Sequence, residues 1–151
     1  IYMDGKKSFS GITFSSFNGM FTNGILSFHN SVFKSDNLIS DVILNLNGPT
    51  LLSNILIAAE NNTSSTKSPI TVFDNGEVTA TNLTVVGFDT GINLVGQPSP
   101  ISYDLTINDS TICENQHDIQ CSNAYITASI ITTDNPAAQC NIHPSDSINC
   151  P

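Results

Sequence analysis

The chain has 151 residues, a formal net charge of −9, and 11% charged residues. Four lysines and no arginine leave no basic cluster, which excludes binding of nucleic acid through its phosphates. No apolar run approaches the roughly 18 residues that span a membrane. The polar residues are mostly uncharged, with 18 Asn, 19 Ser and 15 Thr beside 18 Ile, and this composition favours strands and turns in one domain.

Short stretches of alternating apolar and polar residues follow one another along the chain. A period of two is typical of half-buried strands, and no window shows the 3.6-residue apolar period of an amphipathic helix. The sequence therefore predicts an all-β fold. The predicted strands, in chain order, are 12–14, 42–46, 70–72, 78–80, 83–85, 101–103, 105–107 and 125–131.

A unit of strand, Asn or small residue, and second strand recurs along the chain. Its anchors lie near positions 10, 30, 54, 82, 108 and 128, at spacings of 20, 24, 28, 26 and 20 residues. Irregular periods of this size indicate a solenoid in which the strands stack and the loops vary in length.

Segments 83–94 and 104–115 carry the clearest form of this unit, in which a strand, an Asn turn and a second strand succeed one another and 83–94 adds a Gly corner. In these segments, and across most of residues 8–132, the chain resembles the right-handed parallel β-helix of the pectin lyase-like superfamily. The resemblance implies about six coils within residues 1–134. Their corners need left-handed backbone conformations, which Gly and Asn adopt at low cost.

The dipeptide Asn-Gly supports an alternative fold. It occurs at positions 18, 23, 47 and 75, and Asn-Gly between alternating stretches is a strong hairpin signal. Stretches 70–73 and 77–80 could form such a hairpin, as in an antiparallel β-sandwich adhesion domain. The sequence is compatible with both folds and favours the β-helix.

The two ends of the chain differ. Residues 135–151 lose the alternation and contain three prolines and two cysteines, so we expect a disulfide-tied C-terminal cap over the last coil. The N-terminal residues show no comparable cap. Further coils upstream, or a docking partner, would then cover the first coil, because a bare end leaves strand edges unpaired.

All four cysteines, Cys113, Cys121, Cys140 and Cys150, lie in the last 39 residues. An even number of cysteines at one end predicts two disulfides. Three connectivities are possible, and we prefer the local pairs Cys113–Cys121 and Cys140–Cys150. Their spacings match no zinc-binding motif.

Four asparagines fit the N-glycosylation pattern Asn-x-Ser/Thr, namely Asn61, Asn62, Asn82 and Asn108. Together with the cysteines they predict a secreted, extracellular glycoprotein. Asn62, Asn82 and Asn108 are 20 and 26 residues apart, about one coil each, so their glycans would stack along one flank of a solenoid.

Catalytic residues are not evident. The lyases that the resemblance implies use a basic residue, commonly Arg, with calcium, and the hydrolases use converging carboxylates. This chain lacks arginine, and its three histidines are isolated. We therefore predict no enzyme activity, no catalytic residue, no metal and no cofactor. Its acidic residues in the second half are spread singly, as at Asp89, Asp104, Asp109, Glu114 and Asp118.

Six phenylalanines crowd the first quarter of the chain. We expect them to stack inside the first coils, and the alternative is an exposed apolar face for a partner. They are Phe9, Phe14, Phe17, Phe21, Phe28 and Phe33.

These observations predict a structural function. The chain would be a segment of a stiff β-helical rod in an extracellular fibre, surface coat or adhesin, with copies of itself or adjacent domains of a longer chain as partners. The alternative is a β-helix that binds or processes polysaccharide.

Overall fold

A computed structural model describes residues 2–15, 20–35, 44–59, 68–73, 76–96, 101–113, 115, 117–121, 126–131 and 148–149. Within these ranges the regular structure consists of strands, and no helix is present. The all-β prediction is confirmed.

The described residues form fifteen strands, which are 2 to 11 residues long. In chain order they are β1 (Tyr2–Asp4), β2 (Lys7–Ser10), β3 (Thr13–Ser15), β4 (Met20–Asn23), β5 (Leu26–Ser35), β6 (Leu44–Leu46), β7 (Pro49–Ala59), β8 (Ile70–Val72), β9 (Glu77–Val86), β10 (Thr90–Leu94), β11 (Ile101–Asn108), β12 (Thr111–Cys113), β13 (His117–Cys121), β14 (Ile126–Ile131) and β15 (Ile148–Asn149).

The strands form two sheets, and the chain alternates between them. Sheet 1 has the order β1-β4-β6-β8-β10-β13, and sheet 2 has the order β2-β5-β7-β9-β11-β14-β15, with β3 also beside β5 and β12 also beside β9. Among the described strand pairs, all are parallel except β14 with β15. We call one sheet 1 strand plus the sheet 2 strand or strands that follow it a repeat.

Residues at equivalent positions of successive repeats lie opposite one another. Phe28 pairs with Leu52, Leu52 with Ala80, and Ala80 with Ile107. All four side chains are fully buried. Because side chains alternate between the two faces of a strand, each sheet directs one apolar row per strand into a shared core. Complete burial of each such Leu or Ile contributes about 1.5–3 kcal/mol.

The strand pairing excludes the hairpin expected at Asn75-Gly76. Strand β8 belongs to sheet 1 and β9 to sheet 2, so the two stretches on either side of this dipeptide do not pair. The hairpin of the alternative fold is therefore not formed, because β8 and β9 belong to different sheets. An antiparallel β-sandwich is not compatible with the parallel strand pairs of these two sheets.

Most of the expected C-terminal cap lies outside the described residues, as do 132–134. Its described part is β15, in which Ile148 pairs with Ala128 and Asn149 with Thr127 of β14. This strand runs antiparallel to β14 and lies at the end of sheet 2.

Candidate functional site

A column of left-handed residues marks a bend in sheet 2. Gly11, Asn30, Asn54, Asn82 and Asp109 have φ values of 68°, 49°, 54°, 53° and 47°. The strand register aligns all five. Gly, Asn and Asp tolerate this conformation better than other residues, which explains their recurrence at the anchors seen in the sequence.

The three asparagines of this column form a hydrogen-bonded ladder along the stacking direction. Asn54 Nδ2 donates to Asn30 Oδ1 at 2.9 Å, and Asn82 Nδ2 donates to Asn54 Oδ1 at 2.8 Å. The side chains are exposed. The Asn54 amide therefore acts as donor to the preceding repeat and as acceptor from the next one, as in the ladders of stacked strands.

A second column occupies the corner where the chain leaves sheet 1 for sheet 2. A Cβ atom on Gly48 would lie 2.4 Å from the carbonyl oxygen of Gly24, and one on Gly24 would lie 2.5 Å from that of Gly5. Beside these glycines, Asn47 Nδ2 donates to Asn23 Oδ1 at 3.1 Å. Close stacking of backbone at this corner thus requires glycine.

Sequence reasoning missed this second column, although a signal was present. Asp4-Gly5, Asn23-Gly24, Asn47-Gly48 and Asn75-Gly76 are separated by 19, 24 and 28 residues. The same spacings separate Gly11, Asn30, Asn54 and Asn82. A local turn signal that repeats at the period of the fold indicates a corner rather than a hairpin.

Buried serine hydroxyl groups form hydrogen bonds with backbone groups at the bend in two repeats. Ser110, which is 1% exposed, accepts a hydrogen bond from the Leu83 N–H at 3.0 Å and donates to the Asn108 carbonyl at 2.7 Å. Ser31 has the same burial and donates to the His29 carbonyl at 2.9 Å. These contacts satisfy backbone groups that would otherwise be buried without partners.

The predicted aromatic stack inside the first repeats is confirmed for four phenylalanines. Phe9 stacks on Phe28 with ring centroids 5.1 Å apart, and Phe14 stacks on Phe33 at 4.7 Å. Phe28 and Phe33 are fully buried. Phe9 and Phe14 are partly buried and cover the core at the first repeat.

Phe21 departs from this expectation and lies on the outer face of sheet 1. Its neighbours Met20 and Thr22 are buried, so alternation along β4 turns the Phe21 ring outward. The Tyr2 ring stacks on it at 5.7 Å and the Phe73 ring lies 6.0 Å away. Tyr2 is 64% exposed. We call Tyr2, Phe21 and Phe73 the outer aromatic row. Phe17 lies outside the described residues.

A shallow cleft opens on sheet 2 between the second, third and fourth repeats. Its volume is about 180 Å³. Ile25, Pro49 and Leu51 form an apolar wall, and Glu77 and Thr79 supply polar groups. An aliphatic group that entered the cleft would lie beside the Glu77 carboxylate.

Among the described acidic residues, Asp118 is nearly buried. Asp118 is 9% exposed, and its Oδ1 accepts a hydrogen bond from Asn115 Nδ2 at 3.2 Å. Asn115 also donates to the Val85 carbonyl and accepts from the Phe88 N–H, so this carboxylate supports a corner. No group of three potential metal ligands occurs among the described residues. Glu114 and the Asp104 side chain lie outside the description.

Two of the four predicted N-glycosylation sites lie within the described residues. Asn82 is exposed on the ladder, whereas Asn108 is half-buried and pairs with Thr81. These two asparagines therefore occupy neighbouring columns, not the single column expected from their spacing, because the left-handed residue of that repeat is Asp109. Asn61 and Asn62 lie outside the described residues.

The cysteine pairing stays a prediction. Cys113 ends β12 and Cys121 ends β13, which gives their backbone positions. Cys140 and Cys150 lie outside the described residues.

Comparisons with known proteins provide no relative. No family model, no curated protein and no solved structure matches this chain. In the part of the chain that the structure describes, no helix is long and apolar enough to cross a membrane.

Proposed function

We propose that this chain is a structural segment of a secreted protein, built as a right-handed parallel β-helix that forms part of a stiff extracellular rod. The observation that carries the proposal is the in-register parallel pairing of sheet 1 from β1 to β13 and of sheet 2 from β2 to β14. Alternation of the chain between two parallel sheets supports the winding of successive coils about a common core.

Rigidity would come from contacts that run along the rod axis. Backbone hydrogen bonds link each strand to the next, and three kinds of columns reinforce them: the asparagine ladder, the stacked glycines and the buried apolar rows. All of these contacts join neighbouring repeats, so bending the rod would strain many of them at once. With about 4.8 Å between strands, each coil adds that length.

The first repeat offers a surface for assembly. Within the described residues, β1 is the outermost strand of sheet 1, and β2 and β3 are the outermost strands of sheet 2. Met3, Phe9 and Phe14 are only partly buried there. Partly buried apolar side chains on the outermost described strands favour pairing with a further strand, from another copy or from another segment of the same polypeptide.

Charge favours another copy of the chain as this partner. Residues 1–35 contain three of the four lysines and one of the thirteen acidic residues, so they carry +2 while the remainder carries −11. Head-to-tail contact would bring the two lysines of the first repeat, Lys6 and Lys7, against an acidic part of another copy. A neighbouring domain of a longer polypeptide is the other partner that this surface could accept.

The end of sheet 2 formed by β14 and β15 differs from the end formed by β2 and β3. Strand β15 runs antiparallel along β14 and so covers an edge that a further parallel coil would need. We propose that residues 135–151, tied by Cys140 and Cys150, form a cap over this edge, so that a further copy would contact this end through β13, the last described strand of sheet 1.

Sedimentation velocity of the secreted chain tests the assembly. Lys6 and Lys7 are exposed on the first repeat, and we expect K6E/K7E to reduce end-to-end species at low salt. The matched control is K34E, since Lys34 is an exposed lysine in the second repeat. Equal effects of the two variants, or a wild-type chain that stays monomeric at all concentrations, would contradict self-assembly.

The outer aromatic row favours a second candidate function, the binding of a neutral polysaccharide. Aromatic rings can pack against the apolar faces of sugar rings, and the row lies beside the exposed amide of Asn23. The acidic chain would repel acidic polysaccharides. Glycan binding that Y2A weakens tenfold, and that the exposed apolar control I25A leaves unchanged, would support this candidate; no binding to any neutral glycan would contradict it.

A further inference from the structure

The ladder residue Asn82 combines a glycosylation motif with an accessible amide. Its side chain is exposed, its φ is 53°, and it is the last asparagine of the ladder. Thr84, the third residue of the motif, is half-buried on β9. We infer that Asn82 carries an N-linked glycan and that the glycan leaves the ladder intact. The inference rests on the secretion contained in the proposed function.

The geometry of the ladder decides which N–H group stays available for the glycan. Asn54 accepts from Asn82 on one side through Oδ1 and donates to Asn30 on the other side through Nδ2. Its donating N–H therefore points away from its own carbonyl. Asn82 has nearly the same φ and occupies the same column, so its ladder bond uses the equivalent N–H.

An N-linked glycan occupies the N–H position of the amide that does not donate in the ladder. The side-chain amide of asparagine has two N–H groups, and attachment of a sugar replaces one of them. The resulting secondary amide strongly prefers the trans form, in which the remaining N–H points away from the carbonyl. This remaining N–H is the one that donates to Asn54, so glycosylation and the ladder are compatible.

The second described motif lacks these properties. Asn108 is half-buried at the end of β11, one residue before the left-handed column. The hydroxyl of its third residue, Ser110, is enclosed by the Leu83 N–H and the Asn108 carbonyl. Asn82 is therefore the better of the two positions for a bulky sugar chain on the folded protein.

Glycopeptide analysis of the secreted full chain gives the first test. Peptide N-glycosidase in heavy-oxygen water converts each glycosylated asparagine to a labelled aspartate, and we expect the label at position 82. A secreted chain with Asn82 bare would overturn the inference while leaving secretion standing. A chain that is not exported, with every motif bare, would overturn the proposed secretion and this inference with it.

Two enzymes then test whether the ladder bond persists beneath the glycan. An endoglycosidase that leaves the first sugar keeps the N–H, so Tm should not change. Peptide N-glycosidase creates a carboxylate that faces the Asn54 oxygen, and we expect it to lower Tm by about 2–4 °C. The T84A variant, which lacks the motif but keeps Asn82, controls for conversion at other sites. Equal Tm responses of wild type and T84A would overturn the persistence of the ladder bond.

Discussion

The side-chain amide of Asn54 donates to the side-chain oxygen of Asn30, 24 residues earlier, at a distance of 2.9 Å. Both residues have left-handed backbone conformations, so one residue type serves two purposes at this position. Asparagine tolerates the bend, and its amide links the bend to those of the repeats on either side.

Substitutions of Asn54 should separate these two contributions. N54G keeps the left-handed conformation but loses both ladder bonds, and we expect a loss of about 1 kcal/mol in the free energy of unfolding because the amides are exposed. N54A adds the cost of a left-handed alanine, about 1–2 kcal/mol more. Urea unfolding measures both. N93A is the matched control on the outer face of sheet 1, and an effect of N93A as large as that of N54A would contradict the ladder's role.

At Gly11 a ladder side chain can be added rather than removed, since this residue occupies the ladder column without a side chain. Its φ is 68°, and an added Cβ would meet no atom within 4 Å. G11N should raise the free energy of unfolding by about 0.5–1 kcal/mol, because the new amide can accept from Asn30. G11A should lower it by about 1–2 kcal/mol through backbone strain. Equal effects of the two variants would show that the column does not extend to the first repeat.

Gly48 tests the close stacking at the second corner. A Cβ there would lie 2.4 Å from the Gly24 carbonyl oxygen, so the backbones of two repeats would have to separate. We expect G48A to destabilise the fold by about 2 kcal/mol or more, measured by urea unfolding. A G48A variant as stable as wild type would contradict the contact between these corners.

Ser110 tests the buried hydroxyl at the bend. S110A removes the acceptor of the buried Leu83 N–H, which should cost about 1–3 kcal/mol. The measurement uses unglycosylated protein, because the same change removes the Asn108 motif. S53A, on an outward-facing half-buried serine, should cost under about 0.5 kcal/mol. Similar losses for the two variants would argue against the hydroxyl contact.

Much of the repeat architecture was accessible from the sequence because it follows from local pattern. Alternation located the strands at 78–80 and 83–85, both within β9. The anchors at 30, 54 and 82 coincide with the left-handed asparagines. The anchor at 108 differs by one residue, since the bend falls at Asp109, and that shift moves Asn108 into another column.

The features that the sequence did not reveal depend on contacts between repeats. Asn-Gly has the same local preference in a hairpin and in a corner, so a single dipeptide does not distinguish them, and only its recurrence at the spacing of the repeats or the partner strands can. The position of Phe21 depends likewise on the face that β4 presents to the core, and a count of phenylalanines does not contain that information.

The central claim is that the chain is a β-helical rod segment that assembles end to end, and electron microscopy of the native secreted material tests it most directly. We expect filaments whose axial repeat equals the length of one segment, about 4.8 Å for each coil. Discrete particles of uniform size, with no extended species at any protein concentration, would contradict it.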